Sequence, residues 1–107
     1  AYGPAKAAAK MYMDNLRTEL RQSGIRATTI YPAEVDTPIL NNRPHVPDAE
    51  ARSTMMLPED IAEGILLAAT LPARTMIDDI TFTPTIQRDT TKDVAVARMA
   101  GAPEGAV

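Results

Sequence analysis

Apolar side chains recur at steps of three and four through Ala9, Tyr12, Met13, Leu16 and Leu20, while Lys10, Asp14, Arg17 and Arg21 fall mostly off that stripe. The spacing predicts one amphipathic helix over residues 2–23. Pro4 is tolerable in a first turn, where its missing N–H has no helical partner to lose. Ser23-Gly24 supplies the stop, with Gly24 suited to a left-handed C′ position. The pattern then changes. Ile25 to Tyr31 is β-branched and aromatic with no breaker before Pro32, which predicts a buried strand over 25–31. Periodicity is lost between Ile39 and Leu57, the signature of a lid or binding loop, with one short helical turn around Asp48–Arg52. Pro58-Glu59-Asp60 opens a second helix over 58–71, with Ile61, Ile65, Leu66 and Ala69 on one face and Leu71-Pro72 at its end. Met76 to Thr83 alternates through Ile80 and Phe82 as a second strand. Strand, helix and strand in that order predict a right-handed βαβ crossover with parallel strands. Beyond Thr85 the chain turns polar, with a short helix from Asp89-Thr90 to Met99 and a frayed end over 102–107.

Composition narrows the possibilities. Eleven basic against fourteen acidic side chains give a net charge of −3 over 107 residues, so no basic footprint points to a nucleic acid. No apolar run is long enough to suggest a membrane span. The absence of cysteine removes disulfides and thiolate metal sites and fits a cytoplasmic setting. The chain is one domain at most. It begins at Ala rather than Met, which fits either Met removal or a chain cut from a longer one.

The chemistry concentrates at the start. Tyr2 and Lys6, four residues apart, share one helical face and set an ammonium beside a phenol. A phenol ordinarily titrates near ~10, too high for proton exchange at neutral pH. A neighbouring cation stabilises the phenolate and makes the tyrosine a usable general acid or base. The plain alternative is an amphipathic helix with a surface lysine. Ala5, Ala7, Ala8 and Ala9 keep this helix slim, open to close approach by a helix or a cofactor.

Tyr2-x-x-x-Lys6, followed at the proper distance by Pro32-Ala33-Glu34-Val35-Asp36-Thr37, resembles the C-terminal half of a short-chain dehydrogenase/reductase, with its YxxxK helix and PGxVxT turn. The resemblance implies an α/β fold, the C-terminal part of a doubly wound Rossmann-like parallel sheet in the order helix, strand, loop, helix, strand. It covers 1–85, with a substrate loop over 38–57, strand 76–83 closing the sheet, and 86–107 as a C-terminal tail. It implies an NAD(P)-dependent oxidoreductase moving a hydride between nicotinamide and an alcohol/ketone pair. In that reading Tyr2 exchanges the proton, and Lys6 lowers its pKa and bonds the nicotinamide ribose. Pro32, Ala33, Val35 and Thr37 would line the cofactor, Val35 through its backbone and Thr37 through its hydroxyl. The loop Thr37–Pro44 and the ending Ile80–Thr85 look most like 3-hydroxy-acid and serine-dehydrogenase-like members, which slightly favours NADP over NAD.

Departures from the family pattern matter as much. Ala33 stands where the family has glycine, a change that hurts only if the backbone there needs a positive φ. None of the five glycines forms a phosphate-cradling turn, and the family's upstream serine and asparagine are absent, so the resemblance implies a chain that lacks the N-terminal cofactor-binding half. One alternative is a catalytically silent fragment kept as a packing or oligomerisation module. Another is the sugar-nucleotide epimerase branch, against which the short tail argues. Either way, an interior strand with an open edge calls for a partner: a homo-oligomer, or a complex with the missing half, with a small alcohol or carbonyl compound as substrate. His45 reads as a solvated loop histidine rather than a metal ligand, Met55-Met56 as gap fillers, Asp78-Asp79 as facing solvent, and Glu34 and Asp36 as solvated flanks of the turn.

Overall fold

The computed structural model describes residues 2–101, without the side chain of Tyr2; the expectation of a frayed end over 102–107 lies outside the described residues. Helix α1 runs Tyr2–Leu20, strand β1 Thr29–Pro32, α2 Ala49–Arg52, α3 Pro58–Thr70, β2 Asp79–Phe82 and α4 Thr91–Met99, with a 3₁₀ turn at Pro38–Asn42. The strands pair in parallel, Thr29 opposite Asp79 and Pro32 opposite Phe82. The α/β architecture with a parallel sheet is thus the one the hydrophobic pattern implies.

Local chemistry sets where the elements end. The first helix is shorter than the predicted 2–23, because Ser23 turns back on Leu20: its amide and its hydroxyl both donate to the Leu20 carbonyl, at 2.9 and 2.6 Å. Gly24 follows at φ 81, where a side chain would be strained. The first strand starts later than Ile25. The Ile25 amide donates to Ser23 Oγ and the Ala27 amide reaches Met76 Sδ, so ladder bonding begins only with Thr29 N–H to the Asp78 carbonyl at 2.9 Å. For the same reason the second strand is Asp79–Phe82 rather than 76–83.

Two long side chains tie helices to this small sheet. Arg17, expected off the apolar stripe, is only 10% exposed and donates to the Ala27 carbonyl, Thr29 Oγ1 and the Asp78 carbonyl, while pairing with Asp14 and, at 3.5 Å, with Asp79. Asp79 is therefore a partner of α1 and not simply a solvated carboxylate. Arg26 spans the end of α3, donating to the carbonyls of Ala69, Leu71, Pro72 and Thr75. At the other end of α3, Asp60 Oδ2 accepts from the Leu57 amide at 2.7 Å.

Helix α3 meets the sheet on a different face from the one its apolar residues suggest. Ile61, Gly64 and Ala68 are half-buried, while Ile65, Leu66 and Leu67 stay more than half exposed. The reason is Gly64. A Cβ there would sit 2.1 Å from Phe82 Cζ, so the bare backbone is what lets the ring approach. On α1, only Met13, Asp14, Leu16, Arg17 and Leu20 are even partly covered; Gly3 to Tyr12 are all exposed.

The core is small. Leu40, Pro47, Met55 and Ala97 are the buried apolar residues among the described residues; they lie on the 3₁₀ turn, on the segments either side of α2, and on α4. The radius of gyration, 16.7 Å, exceeds the roughly 13 Å of a compact chain of this length. The buried positions lie in segments that follow a strand, 40–55 after β1 and 97 after β2.

Candidate active site

The turn that leaves β1 is built as a second, one-residue parallel bridge. The Ala33 amide donates to the Phe82 carbonyl at 2.9 Å, closing the β1–β2 ladder. Val35 then pairs with Met56: the Met56 amide donates to the Glu34 carbonyl at 3.1 Å, and the Asp36 amide to the Met56 carbonyl at 2.8 Å. In a parallel pair, alternate residues turn their backbone groups to opposite edges. Since Glu34 and Asp36 serve Met56, the amide and carbonyl of Val35 face the other way, and no described residue takes them.

Thr37 is extended, at φ −139 and ψ 161, ahead of the 3₁₀ turn, and its hydroxyl does not cap that turn. Only its carbonyl is engaged there, by the Leu40 amide at 3.2 Å. Pro32 and Ala33 are exposed; Val35 and Thr37 are half-buried. No residue other than glycine has positive φ among the described residues, so the alanine at 33 carries none of the strain a left-handed position would impose. Ala33 instead borders an opening of about 280 Å³ with Glu34, Arg43, Thr83, Gln87 and Arg88.

The two acids of the turn are not solvated flanks. Glu34 Oε2 accepts from Arg88 Nη2 at 2.6 Å and Nε at 3.0 Å. Asp36 Oδ1 accepts from Arg52 Nη1 at 2.8 Å. Arg88 Nη1 also lies 2.6 Å from Asp93 Oδ2, out of line for a hydrogen bond but in close charge contact, and Asp93 is 4% exposed. Burial alone would lower the Arg88 pKa; its hydrogen bonds to Glu34 and its charge contact with Asp93 outweigh that and raise it above the ordinary guanidinium value. His45 Nε2 stands 3.6 Å from Asp93 Oδ1, so this loop histidine, its side chain 43% exposed, adjoins a buried carboxylate as well as solvent. It shares with Arg88, Lys92 and Asp93 the wall of a second cavity, of about 460 Å³. Among the described residues no group of histidines and acids is arranged to hold a metal.

On α1, Tyr2 is the first helical residue and its side chain lies outside the described residues; Lys6 is exposed one turn later. Beyond it, Lys10 bonds Asp14 at 2.9 Å, and the bond raises the Lys10 pKa and lowers that of Asp14. Of the site residues read from sequence, Pro32, Ala33, Val35 and Thr37 are assembled into one turn by the chain itself. Arg52, Arg88 and Asp93 were missed. The alternation Glu34-Val35-Asp36, which sends both acids from one side of an extended backbone, was the available signal.

A family model described as short chain dehydrogenase matches residues 1–47. An uncharacterized oxidoreductase of Staphylococcus haemolyticus is 35% identical over 83 residues, 78% of this chain and 34% of the relative. The NADP-dependent 3-hydroxy acid dehydrogenase of Escherichia coli is 34% identical over 92 residues, 80% of this chain and 37% of its own length. Among solved structures, the closed form of serine dehydrogenase complexed with NADP+ matches at TM-score 0.68 and 33% identity, over 82% of this chain and 38% of that one. Serine dehydrogenase from Escherichia coli matches at TM-score 0.62 and 28% identity, over 82% and 33%. The chain spans about a third of the length of the curated relatives it matches. In sequence and in fold, the chain matches one part of the short-chain dehydrogenase/reductase fold.

Proposed function

We propose that this chain supplies the proton-exchanging and nicotinamide-facing part of an NAD(P)-dependent oxidoreductase acting on an alcohol/carbonyl pair. The observation that carries the reading is the turn after β1: Val35 keeps an amide and a carbonyl side by side and unspent, the donor–acceptor pair that a carboxamide needs. It stands on the strand that follows a Tyr-x-x-x-Lys helix. The nearby residues fit the same ligand. Thr37 has a hydroxyl not used for capping, and Ala33 leaves its side of the turn unstrained. When bound, the nicotinamide would supply or accept the hydride. Everything else falls to the chain. Tyr2 gives its phenolic proton to the carbonyl oxygen on reduction and takes it back from the alcohol on oxidation. The Lys6 ammonium, one helical turn along the chain, would favour the phenolate. NADP is the preferred cofactor in this reading, since two relatives are described as NADP-dependent or NADP+-complexed.

A partner surface is part of the proposal. Met11, Tyr12, Ile65, Leu66 and Leu67 are all more than half exposed, and β1 has a neighbour on one edge only among the described residues. Either a second polypeptide that completes the sheet or further copies of this chain would cover them.

Native mass spectrometry of the isolated material, followed by Tyr2→Phe in the same assembly, tests the function. The expected result is a complex carrying a dinucleotide mass, whose NADPH-dependent carbonyl reduction falls by a factor of 10² or more with Tyr2→Phe while the cofactor stays bound. Copies of this chain alone, with no dinucleotide and no reductase activity, would replace this reading with that of a silent packing module.

A further inference from the structure

Two carboxylates flank the Val35 backbone, and each is met by an arginine from a different part of the chain. Glu34 is held by Arg88, 54 residues away, and Asp36 by Arg52, 16 residues away. Neither arginine is a loose surface cation. The Arg88 side chain is 13% exposed and lies against the nearly buried Asp93 of α4. Arg52 is 22% exposed and is itself fixed, with Nη2 donating to Asn41 Oδ1 at 2.8 Å and Nε to the Pro47 carbonyl at 3.1 Å. Isolated exposed ion pairs contribute little. These are largely withdrawn from water, share additional partners, and grip two residues that leave the same side of one extended turn.

The consequence is geometric. The one-residue bridge between Val35 and Met56 rests on only two backbone hydrogen bonds, both made by the residues that carry the gripped carboxylates. A bridge so short has little cooperativity of its own. The two arginines set the rotation of the Glu34–Asp36 backbone, and that rotation decides where the Val35 amide and carbonyl point. We infer that Arg88 and Arg52 are positioning residues that clamp the turn through Glu34 and Asp36 and so present Val35 to the nicotinamide carboxamide. The inference rests on the reading of the turn under the proposed function. It also makes the tail part of the site: α4 docked through Asp93 and Arg88 is a condition for a correctly set turn.

The test uses the full chain with Glu34→Gln/Asp36→Asn together. These near-isosteric changes remove the handles while leaving Arg88 on Asp93 and Arg52 on Asn41. Two readouts are followed by NMR: amide hydrogen exchange at Asp36, Met56 and Thr29, and the response of the Val35 amide to nicotinamide mononucleotide. The clamp predicts exchange at least tenfold faster at Asp36 and Met56 with Thr29 unchanged, and a Val35 response needing at least fivefold more nucleotide. Arg88→Lys, which keeps the charge but loses the two-point grip on Glu34, should fall between. Unchanged exchange at Asp36 and Met56 would overturn the clamp. Faster exchange with an unaltered Val35 response would overturn its positioning role and leave only a structural one. If Val35 of the unsubstituted chain ignores the nucleotide while exchange accelerates as stated, the clamp stands and the proposed function is what fails.

Discussion

Replacing Gly64 with alanine asks whether the approach of α3 to β2 depends on a missing methyl group. Two effects oppose each other. In an ordinary helix interior, Gly→Ala is stabilising by about 1 kcal/mol, because glycine gives up the most backbone freedom on folding. Here the new Cβ would stand 2.1 Å from Phe82 Cζ, more than an ångström inside the 3.4 Å at which ordinary contact begins, and 3.0 and 3.1 Å from Cε1 and Cε2, a few tenths inside it. Cζ lies on the axis of the ring flip, so rotation about χ2 cannot move it away. Relief requires a χ1 change at a half-buried phenylalanine or a retreat of the helix, and overpacking of this kind costs about 1–3 kcal/mol. The net expectation is destabilisation of up to about 2 kcal/mol, in place of the gain of about 1 kcal/mol that helix propensity alone provides.

The decisive version is a double-mutant cycle followed by urea unfolding and circular dichroism at one fixed protein concentration. With Phe82→Ala in the background the obstruction is gone. Gly64→Ala should then change sign and stabilise by about 1 kcal/mol, a coupling of about 1–3 kcal/mol between the two positions. If Gly64→Ala stabilises the unsubstituted chain, or acts equally in both backgrounds, the close helix–strand contact is not what selects glycine here. The consequence for the site is direct, because the Phe82 carbonyl accepts from the Ala33 amide and so anchors the start of the turn.

Three further outcomes are expected. Arg26 closes the end of α3 with four donated bonds, so Arg26→Gln should cost about 1–2 kcal/mol in the same urea assay, with Arg26→Lys recovering only part because one ammonium cannot span four carbonyls; no loss would show that solvent serves those carbonyls as well. Tyr31 Oη is buried without a partner among the described residues, so Tyr31→Phe should be neutral or stabilising by up to about 1–2 kcal/mol, and a comparable loss would reveal a bond made elsewhere. Asp14 has its pKa lowered, chiefly by its bond to Lys10, so its contribution to α1 is present above 3.8 and disappears as the pH falls through the lower folded value. A carboxyl NMR titration should place its midpoint below 3.8, and Lys10→Ala should move it upward; an unmoved midpoint would mean that the pair does not persist in solution.

What could be read from the sequence follows from how far each interaction reaches. The Gly24 stop, the Pro58 start and the turn after β1 are set by residues within a few positions, where backbone stereochemistry acts alone. The contacts that set helix on sheet and turn on tail run through Arg17, Arg26, Arg52 and Arg88, whose positions carry no hydrophobic periodicity. Gly64 was invisible for the same reason: the packed position on α3 is the one with no side chain, and the visible apolar run Ile65–Leu67 faces away. The site divides along the same line. Its motifs are local and legible, whereas Glu34 and Asp36 read as solvated because their partners lie far off in sequence.

The same division bears on catalysis. The turn, gripped by two arginines and bridged to Met56 beside the buried Met55, belongs to a part of the chain tied in by several partners. Lys6 belongs to a stretch of α1, Gly3 to Tyr12, whose residues are all exposed. An acid/base pair must be held within a fraction of an ångström of its working geometry, and a helix half without packing cannot supply that precision. Under the proposed function, whatever covers the first half of α1 therefore does more than complete a sheet. It fixes Tyr2 and Lys6 relative to the turn, so mutations at the exposed Met11 and Tyr12 should lower turnover before they lower the affinity of the turn for a nicotinamide. Equal losses in both would mean that the two halves of the site are held by one structure rather than two.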